Sequence, residues 1–376
     1  MLSGKNLDFV QSAFRSYYSS SLPLPSEFRS REFGFGFEKK IEFRHKAFSS
    51  EVIFKDFLVS RTPLFVSYSS AYYDNPSAQS MASKGFLGAD LIFDIDPKTD
   101  HEGHNPVFCP KCVSWSQEHL FRLVENFLVP DFGFSKKDFF VNFSGSKGFH
   151  LHAFSEEAKK ISKSGRRILC NYVVGSDISF ETLFTESRIE GKTSRLYDGP
   201  SSSSLGWKKK VFDYCHSFVS LASEDDFHSA GLTKKASQEL FSKKEFLLKK
   251  MAEGRWHSLP ESAPLWASLV PKAIEAKRAE IDSAVTFDSS RLIRLENSLH
   301  GSTGLVAKTF DLASLDSLDA SEYCVAFRKG EATVLPTESV SFSIGGQTHF
   351  LSAGNRQELP LSAAVLAVCK GVADIP

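Results

Sequence analysis

The chain is 376 residues long, 41% hydrophobic and 24% charged, enough to bury a large core in one domain or in two linked ones. Forty-five Lys and Arg offset forty-five Asp and Glu, so the formal net charge is zero. That excludes a histone-like or tail-driven nucleic-acid binder, whose affinity comes from massed cations on phosphates.

The first twenty residues read as a helix with a Ser-rich end, stopped by Leu22-Pro23-Leu24-Pro25. The segment MLSGKNLDFVQSAF lacks the basic and apolar regions of a signal peptide. Alternation in Phe33-Gly34-Phe35-Gly36-Phe37 and in Ile41-Glu42-Phe43-Arg44-His45 predicts strands, as do residues 64–68 and 89–96. A polar loop over 97–115 carries two His and two Cys, and Leu120, Phe121, Val124, Phe127 and Leu128 then fall at helical spacing. Residues 139–143 and 149–154, joined by a glycine-bearing turn, predict a hairpin. The stretch 197–206, with Gly199-Pro200 and four serines, reads as a linker. Helices are expected over 235–251 and 265–280, strand character at 281–287, and a docked apolar helix over 361–370 between Pro360 and Gly371. No apolar run approaches the roughly twenty residues of a membrane span, and thirty-five phenylalanines against three methionines point to an aromatic-rich core. Apart from Cys109 and Cys112 the cysteines are scattered, which suits buried thiols in a reducing compartment. The class expected is a soluble, intracellular α/β or α+β protein.

Charge is unevenly placed along these elements. Residues 136–167 hold eight Lys and Arg against three Asp and Glu, and residues 311–376 hold four against eight. In Leu91-Ile92-Phe93-Asp94-Ile95-Asp96 the two carboxylates share one strand face, where they repel unless a cation lies between them. A solvated strand end would account for such a pair, but the apolar flank 89–93 sets it at the mouth of a buried strand. Hard divalent cations such as Mg²⁺ favour carboxylate oxygens there and also bind substrate phosphates. Some fifty residues on, Phe143-Ser144-Gly145-Ser146-Lys147-Gly148-Phe149-His150-Leu151-His152 combines two glycines, which admit close approach to a ligand, with Ser144, Ser146 and Lys147, donors suited to phosphate; an ordinary polar hairpin is the plainer alternative. His101-x2-His104-x4-Cys109-x2-Cys112 has the arithmetic of a structural, tetrahedral zinc site. A last cluster joins Asp282 and Asp288 to Arg291, Arg294 and His300, which alone would pass for a salt-bridged surface.

Together these stretches, with Arg31-Glu32-Phe33, Ser69-Ser70-Ala71-Tyr72-Tyr73, Gly88-Ala89-Asp90 before the paired aspartates, Arg291-Leu292-Ile293-Arg294 and Ser298-Leu299-His300-Gly301, resemble the small catalytic subunit of the archaeo-eukaryotic replicative DNA primases in its archaeal form. They span most of the chain in the family's order. The resemblance implies a catalytic core of mixed sheets: residues 1–204 as its first part, with a zinc knuckle at about 97–116, then an inserted, mainly helical subdomain over 205–280 and a second core part over 281–376. It implies template-directed, metal-dependent nucleotidyl transfer of the DNA-directed RNA polymerase type, making short primers on single-stranded DNA for replication. Asp94, Asp96 and Asp282 would hold Mg²⁺ or Mn²⁺, with Asp288 competing for the third place. Ser144, Lys147, His150, Arg294 and His300 would bind the nucleoside triphosphate, with Arg31 as a helper and His150 preferred to His152 as the first histidine after the turn's second glycine. His101, His104, Cys109 and Cys112 would hold Zn²⁺, although relatives often use more cysteine. Two further departures stand out: Ser302 occupies a place where the family commonly has lysine, with Lys308 as a substitute, and Glu296 stands where proline is frequent. The implied partners are a large primase subunit in a heterodimer, the template, nucleoside triphosphates and other replication proteins, with no membrane, in an archaeal cytoplasm at the nucleoid. Two rivals remain: a stand-alone repair primase-polymerase sharing the core, and a non-catalytic zinc-containing nucleic-acid-binding scaffold.

Overall fold

The computed structural model describes residues 2, 4–20, 24–188 and 195–376, so Leu22 and Pro23 of the expected helix stop lie outside the described residues. The chain divides into two compact units, one made of Met1–Leu120, Ser135–Arg167 and Ile281–Pro376, the other of Phe121–Phe134 and Ile168–Glu280. Mixed sheets and helices make it an α/β protein in the broad sense.

The strands of the first unit that concern the site are β1 (Phe33–Gly36), β2 (Phe43–Lys46), β3 (Phe65–Ser69), β4 (Ala71–Tyr73), β5 (Phe86–Ala89), β6 (Leu91–Ile95), β7 (Phe139–Phe143) and β8 (Phe149–Ala153). After β9 (Thr185–Arg188) and β10 (Arg195–Asp198) of the second unit come β11 (Leu292–Arg294) and β12 (Thr309–Phe310). Two antiparallel four-stranded sheets result, in the orders β11-β3-β1-β2 and β12-β7-β8-β6. Against the first sheet the phenylalanines form the expected aromatic core. Phe33, Phe35 and Phe54 are buried and meet Phe28, Phe48 and Phe57 at ring-centroid separations of 4.6 to 6.0 Å. In the second sheet period two sorts the side chains. Phe93, Ile95, Phe149, Leu151, Val141 and Phe143 are fully buried on one face. On the other face the register aligns Asp94 with His150 and His150 with Asn142.

The strand expected over 89–96 is broken at Asp90, because that residue turns into a buried ion pair instead of continuing a ladder. Arg31 Nη2 lies 2.6 Å from Asp90 Oδ2, with both side chains 1% exposed. Arg31 Nη1 donates to the carbonyls of Ser69 and Ser70, each at 2.9 Å, and the Tyr72 hydroxyl donates to Asp90 Oδ1 at 2.5 Å. A second buried guanidinium, Arg166, donates to the carbonyls of Asp90 (2.8 Å) and Ala89 (2.6 Å). Two cations thus hold the corners from β3 to β4 and from β5 to β6, and so fix where β6 starts. The helix at Leu361–Lys370 forms as expected, closed by Gly371 at φ +74°, the left-handed conformation that glycine adopts at helix ends.

Within the second unit lie the helices Gly206–Leu221, Glu224–Ser229, Lys234–Ser242, Lys244–Ala252 and Ala263–Lys277. The helix expected over 235–251 is split at Lys243, which leaves helical geometry at φ −107°, ψ 16°. The Ser-rich tract is tied down instead of forming a free linker. Gly199 N–H donates to the Gly254 carbonyl at 2.8 Å, and Trp256 Nε1 donates to the Pro200 carbonyl at 2.5 Å.

Removing one partner of a buried ion pair leaves the other charge without compensation, which costs about 3 kcal/mol or more. Arg31→Met and Asp90→Asn are each expected to lower the unfolding free energy by about that amount, read from the denaturant midpoint.

Candidate active site

A cavity of about 310 Å³ opens in the first unit, lined from both sheets and from the turns that leave them. Asp94 of β6 and Asp96 just beyond it form one wall with Ser144, Ser146 and Lys147 of the β7–β8 turn and His150 of β8. Ser67, Leu292, Ile293 and Arg294 come from the other sheet, followed by His300 and Ser302, and Lys40, Ile41 and Val285 complete the lining.

Asp94 carries the electrostatic strain of the site. Its Oδ1 is buried and, among the described residues, has no hydrogen-bond partner; His150 Nε2 stands 3.6 Å away. Burial, then the neighbouring charges of Asp96 and Asp282, raise its pKa to about 7. Asp282 reaches this wall through the backbone, its N–H donating to the Asp94 carbonyl at 2.8 Å. The strand expected over 281–287 is a short helix, Ser283–Phe287. Asp282 Oδ1 accepts the Ala284 N–H at 2.9 Å, an N-cap bond that decides the local structure against its β-branched residues. Neither Asp282 nor Asp288 is part of the cavity wall itself; the charge of Asp282 acts on Asp94, whereas Asp288 Oδ1 accepts from the Ser290 hydroxyl at 2.7 Å.

The β7–β8 turn is closed by Ser144, whose N–H donates to the Gly148 carbonyl (2.9 Å) and whose Oγ accepts the Gly148 N–H (3.2 Å). Both glycines are required by contact. Gly145 sits at φ +83°, and a Cβ there would come within 2.7 Å of the His300 Cβ. A Cβ on Gly148 would run into the Asp96 carboxylate and the Ile95 carbonyl. The turn therefore presses directly against two of the other site residues. Lys147 Nζ donates to the Pro97 carbonyl at 3.1 Å, and its own carbonyl accepts from the Ser116 hydroxyl at 3.2 Å.

The opposite wall offers donors. Arg294 is 8% exposed, lies with its guanidinium carbon 5.1 Å from the Phe65 ring centre, and has Nη1 without a partner among the described residues. Burial lowers its pKa to about 10, so it stays charged at neutral pH. Burial likewise pushes His150 down to about 3 and His300 well below its usual range, so both rings are neutral. The Ser302 N–H donates to His300 Nδ1 at 3.2 Å, which leaves Nε2 as the ring donor.

Arg31, Lys308 and His152, also named from the sequence, lie outside this cavity. Arg31 is held in its ion pair and borders a different cavity, of about 380 Å³, with Tyr68, Tyr72, Asp90 and Glu296. Lys308 donates to the Tyr323 carbonyl at 3.2 Å and does not reach the Asp94 cavity. His152 is fully buried, stacked on Phe140 at 4.2 Å. Lys40, Ser67 and Asn142 escaped sequence reasoning; for Lys40 the one available signal was the Lys39-Lys40 pair in the turn after Phe37.

The loop between β6 and the helix Pro110–Leu123 brings the ligand atoms of His101, His104, Cys109 and Cys112 within 4.8 Å of one another. His101 Nε2 lies 3.2 Å from Cys112 Sγ and 3.7 Å from Cys109 Sγ, and His104 Nδ1 lies 3.5 Å from Cys112 Sγ. Zn–N near 2.1 Å and Zn–S near 2.3 Å put the nitrogen and sulfur ligands of a tetrahedral zinc about 3.6 Å apart, so the four side chains fit that ion. The Asp94 wall fits a hard divalent cation for a different reason, the unfilled buried Oδ1 beside two further carboxylates.

A family model described as DNA primase small subunit matches residues 93–312, more than half of the chain. The chain is similar to the DNA primase small subunit PriS of Methanosarcina acetivorans, 30% identical over 404 residues that cover 98% of this chain and 97% of that one. It is similar to PriS of Methanocorpusculum labreanum, 31% identical over 383 residues and 98% of each chain. With PriS of Methanothrix thermoacetophila it shares 28% identity over 396 residues, the full length of both.

Asp94 gives a pH signature to the metal-free protein. With its pKa raised to about 7, the protonated carboxyl favours the fold; that contribution is complete below about pH 4 and is lost as pH rises through about 7. Scanning calorimetry between these limits is expected to show a fall in Tm that Asp94→Asn flattens and that added Mg²⁺ offsets at the alkaline end.

Proposed function

Since this chain belongs to the DNA primase small subunit family, and is therefore the catalytic subunit of a DNA primase and a nucleotidyltransferase, we propose that the Asp94 cavity is where it joins nucleotides, in a template-directed reaction of the DNA-directed RNA polymerase type. The observation that carries the reading is a matched pair of vacancies. Asp94 Oδ1 and Arg294 Nη1 are both buried, and among the described residues neither has a partner, although the two side chains line one cavity. A divalent cation together with a phosphate satisfies both, because the cation binds the carboxylate and the phosphate binds the guanidinium.

Asp94, Asp96 and Asp282 would hold Mg²⁺ or Mn²⁺, an ion that would supply activation of a primer 3′-hydroxyl and charge neutralisation of the departing pyrophosphate. Lys147 and Arg294 bring fixed positive charge to the triphosphate, which neutralises what develops on it as the bond to pyrophosphate breaks. Ser144 positions the turn and offers its hydroxyl. His150 and His300 contribute neutral N–H donors, since burial holds both rings unprotonated; they orient phosphate oxygens without adding charge. The His101, His104, Cys109 and Cys112 set would hold Zn²⁺ as a structural ion, since the protein itself offers four ligand atoms there.

A small subunit implies a larger one, and we assign the missing template affinity to that partner in a heterodimer. The net charge of zero supports this, since the chain as a whole carries no excess of cations to hold single-stranded DNA. Work on such a template places the enzyme at the nucleoid. Among the described residues no helix is long and apolar enough to cross a membrane. The repair-polymerase and scaffold readings are not favoured, because the relatives named as primase small subunits match over nearly the whole chain.

Asp94→Ala and Asp96→Ala are each expected to abolish primer synthesis on single-stranded DNA, assayed with ribo- and deoxynucleotides separately, while the circular dichroism spectrum is unchanged; extension by the well-folded double variant would sink the assignment. His101→Ala and Cys109→Ser are expected to drop bound zinc below one equivalent and to lower Tm more than they lower the residual rate, as measured by metal analysis and thermal melting.

A further inference from the structure

Cations are unevenly placed around the cavity. At Ser302 the lining offers a short neutral side chain, and its N–H is already engaged by His300 Nδ1 at 3.2 Å. Lys308 does not compensate, since its ammonium donates to the Tyr323 carbonyl away from the cavity. A different lysine lines the wall. Lys40 stands on the turn between β1 and β2, with Ile41 beside it in the same lining.

The turn is built to hold that position. The Glu42 carboxylate accepts the N–H groups of Phe37 (2.7 Å) and Glu38 (3.4 Å), and the Glu42 N–H donates to the Phe35 carbonyl at 2.8 Å. Gly36 lets the chain fold back so tightly that a Cβ there would collide with the Lys39 carbonyl. The side chain of Lys40 remains exposed, free to move its charge towards a ligand. The positive charge already reaches the site's own groups: it lowers the pKa of Asp94, His150 and His300. An ammonium on a flexible stem is a general phosphate ligand that needs no fixed fork geometry.

We propose that Lys40 contacts the polyphosphate of the incoming nucleotide and fills, from the β1–β2 turn, the cationic position that Ser302 leaves neutral. This rests on the reading of the Asp94 cavity as the nucleotide site. It makes Lys40 a binding residue that acts chiefly on nucleotide affinity, in contrast to the carboxylates, which act on the chemical step.

The test is steady-state extension of a preformed primer on template with ATP and Mg²⁺, using the full chain with its large subunit. Lys40→Ala is expected to raise KM for ATP about tenfold, the size of one charge-assisted contact, with kcat changed less than about twofold. Lys40→Arg keeps most of the affinity, and Ser302→Lys in the Lys40→Ala background brings KM most of the way back, because it returns a cation to the same phosphates from another loop. A KM unchanged in Lys40→Ala overturns the proposal. So does an equal rise in Lys39→Ala, which would mark a general effect of turn charge, or a raised KM that Ser302→Lys leaves untouched, which would mark a distorted turn. If Asp94→Ala abolishes synthesis while Lys40→Ala behaves as wild type, only Lys40 is misassigned; synthesis by a folded Asp94→Ala would remove the cavity reading itself.

Discussion

Three carboxylates at one end of β6 set the constraint under which this site is built. Asp94, Asp96 and Asp282 repel one another, and Asp94 is sheltered enough from water that its pKa rises to about 7. Left alone, such a cluster would splay apart or protonate. It is held together because each carboxylate is fixed by something other than its neighbours. Asp94 is paired in a ladder with His150, Asp282 is tied through its backbone and capped on its own helix, and Asp96 is pressed by the glycine turn. Preorganisation of this kind leaves a vacancy that only a cation fills well.

Two arginines divide the labour of keeping that arrangement. Both Arg31 and Arg294 are buried, yet they differ in whether their donors are satisfied. Arg31 bonds Asp90 and the carbonyls of Ser69 and Ser70, so its charge is consumed in anchoring the corners that lead into β6. Arg294 stacks near Phe65 and, among the described residues, keeps a donor unfilled at the cavity. A fully satisfied buried cation belongs to the fold, whereas a partly satisfied one awaits a ligand.

That distinction marks what could be read without coordinates. The paired aspartates, the glycine turn, the histidine and cysteine spacing and the terminal helix were legible because each rests on a local rule: period two, turn chemistry, ligand arithmetic and helix stops. Arg31 stands outside the Asp94 cavity because it pairs with Asp90, 59 positions along the chain, and no local signal reports a long-range ion pair. The segment 281–287 has strand character, but a side-chain bond from Asp282 caps a short helix there. The break at Lys243 and the anchoring of the Ser-rich tract on Trp256 likewise depend on tertiary neighbours. Lys40 could not be singled out, since a lysine in a polar turn is ordinary until the turn is seen to face the cavity.

The ladder between β6 and β8 also limits how this site can change through descent. Asp94 faces His150, and His150 faces Asn142, only because the three strands keep their register. Residues on either side of His150 along β8 point into the apolar layer, where Phe149 and Leu151 are fully buried. Turn positions other than Gly145 and Gly148 can be exchanged with the ladder intact, but gaining or losing one residue inside β8 would carry a histidine into hydrocarbon and a phenylalanine or leucine into the cavity. The history of this hairpin is therefore open to spelling changes and closed to changes of odd length.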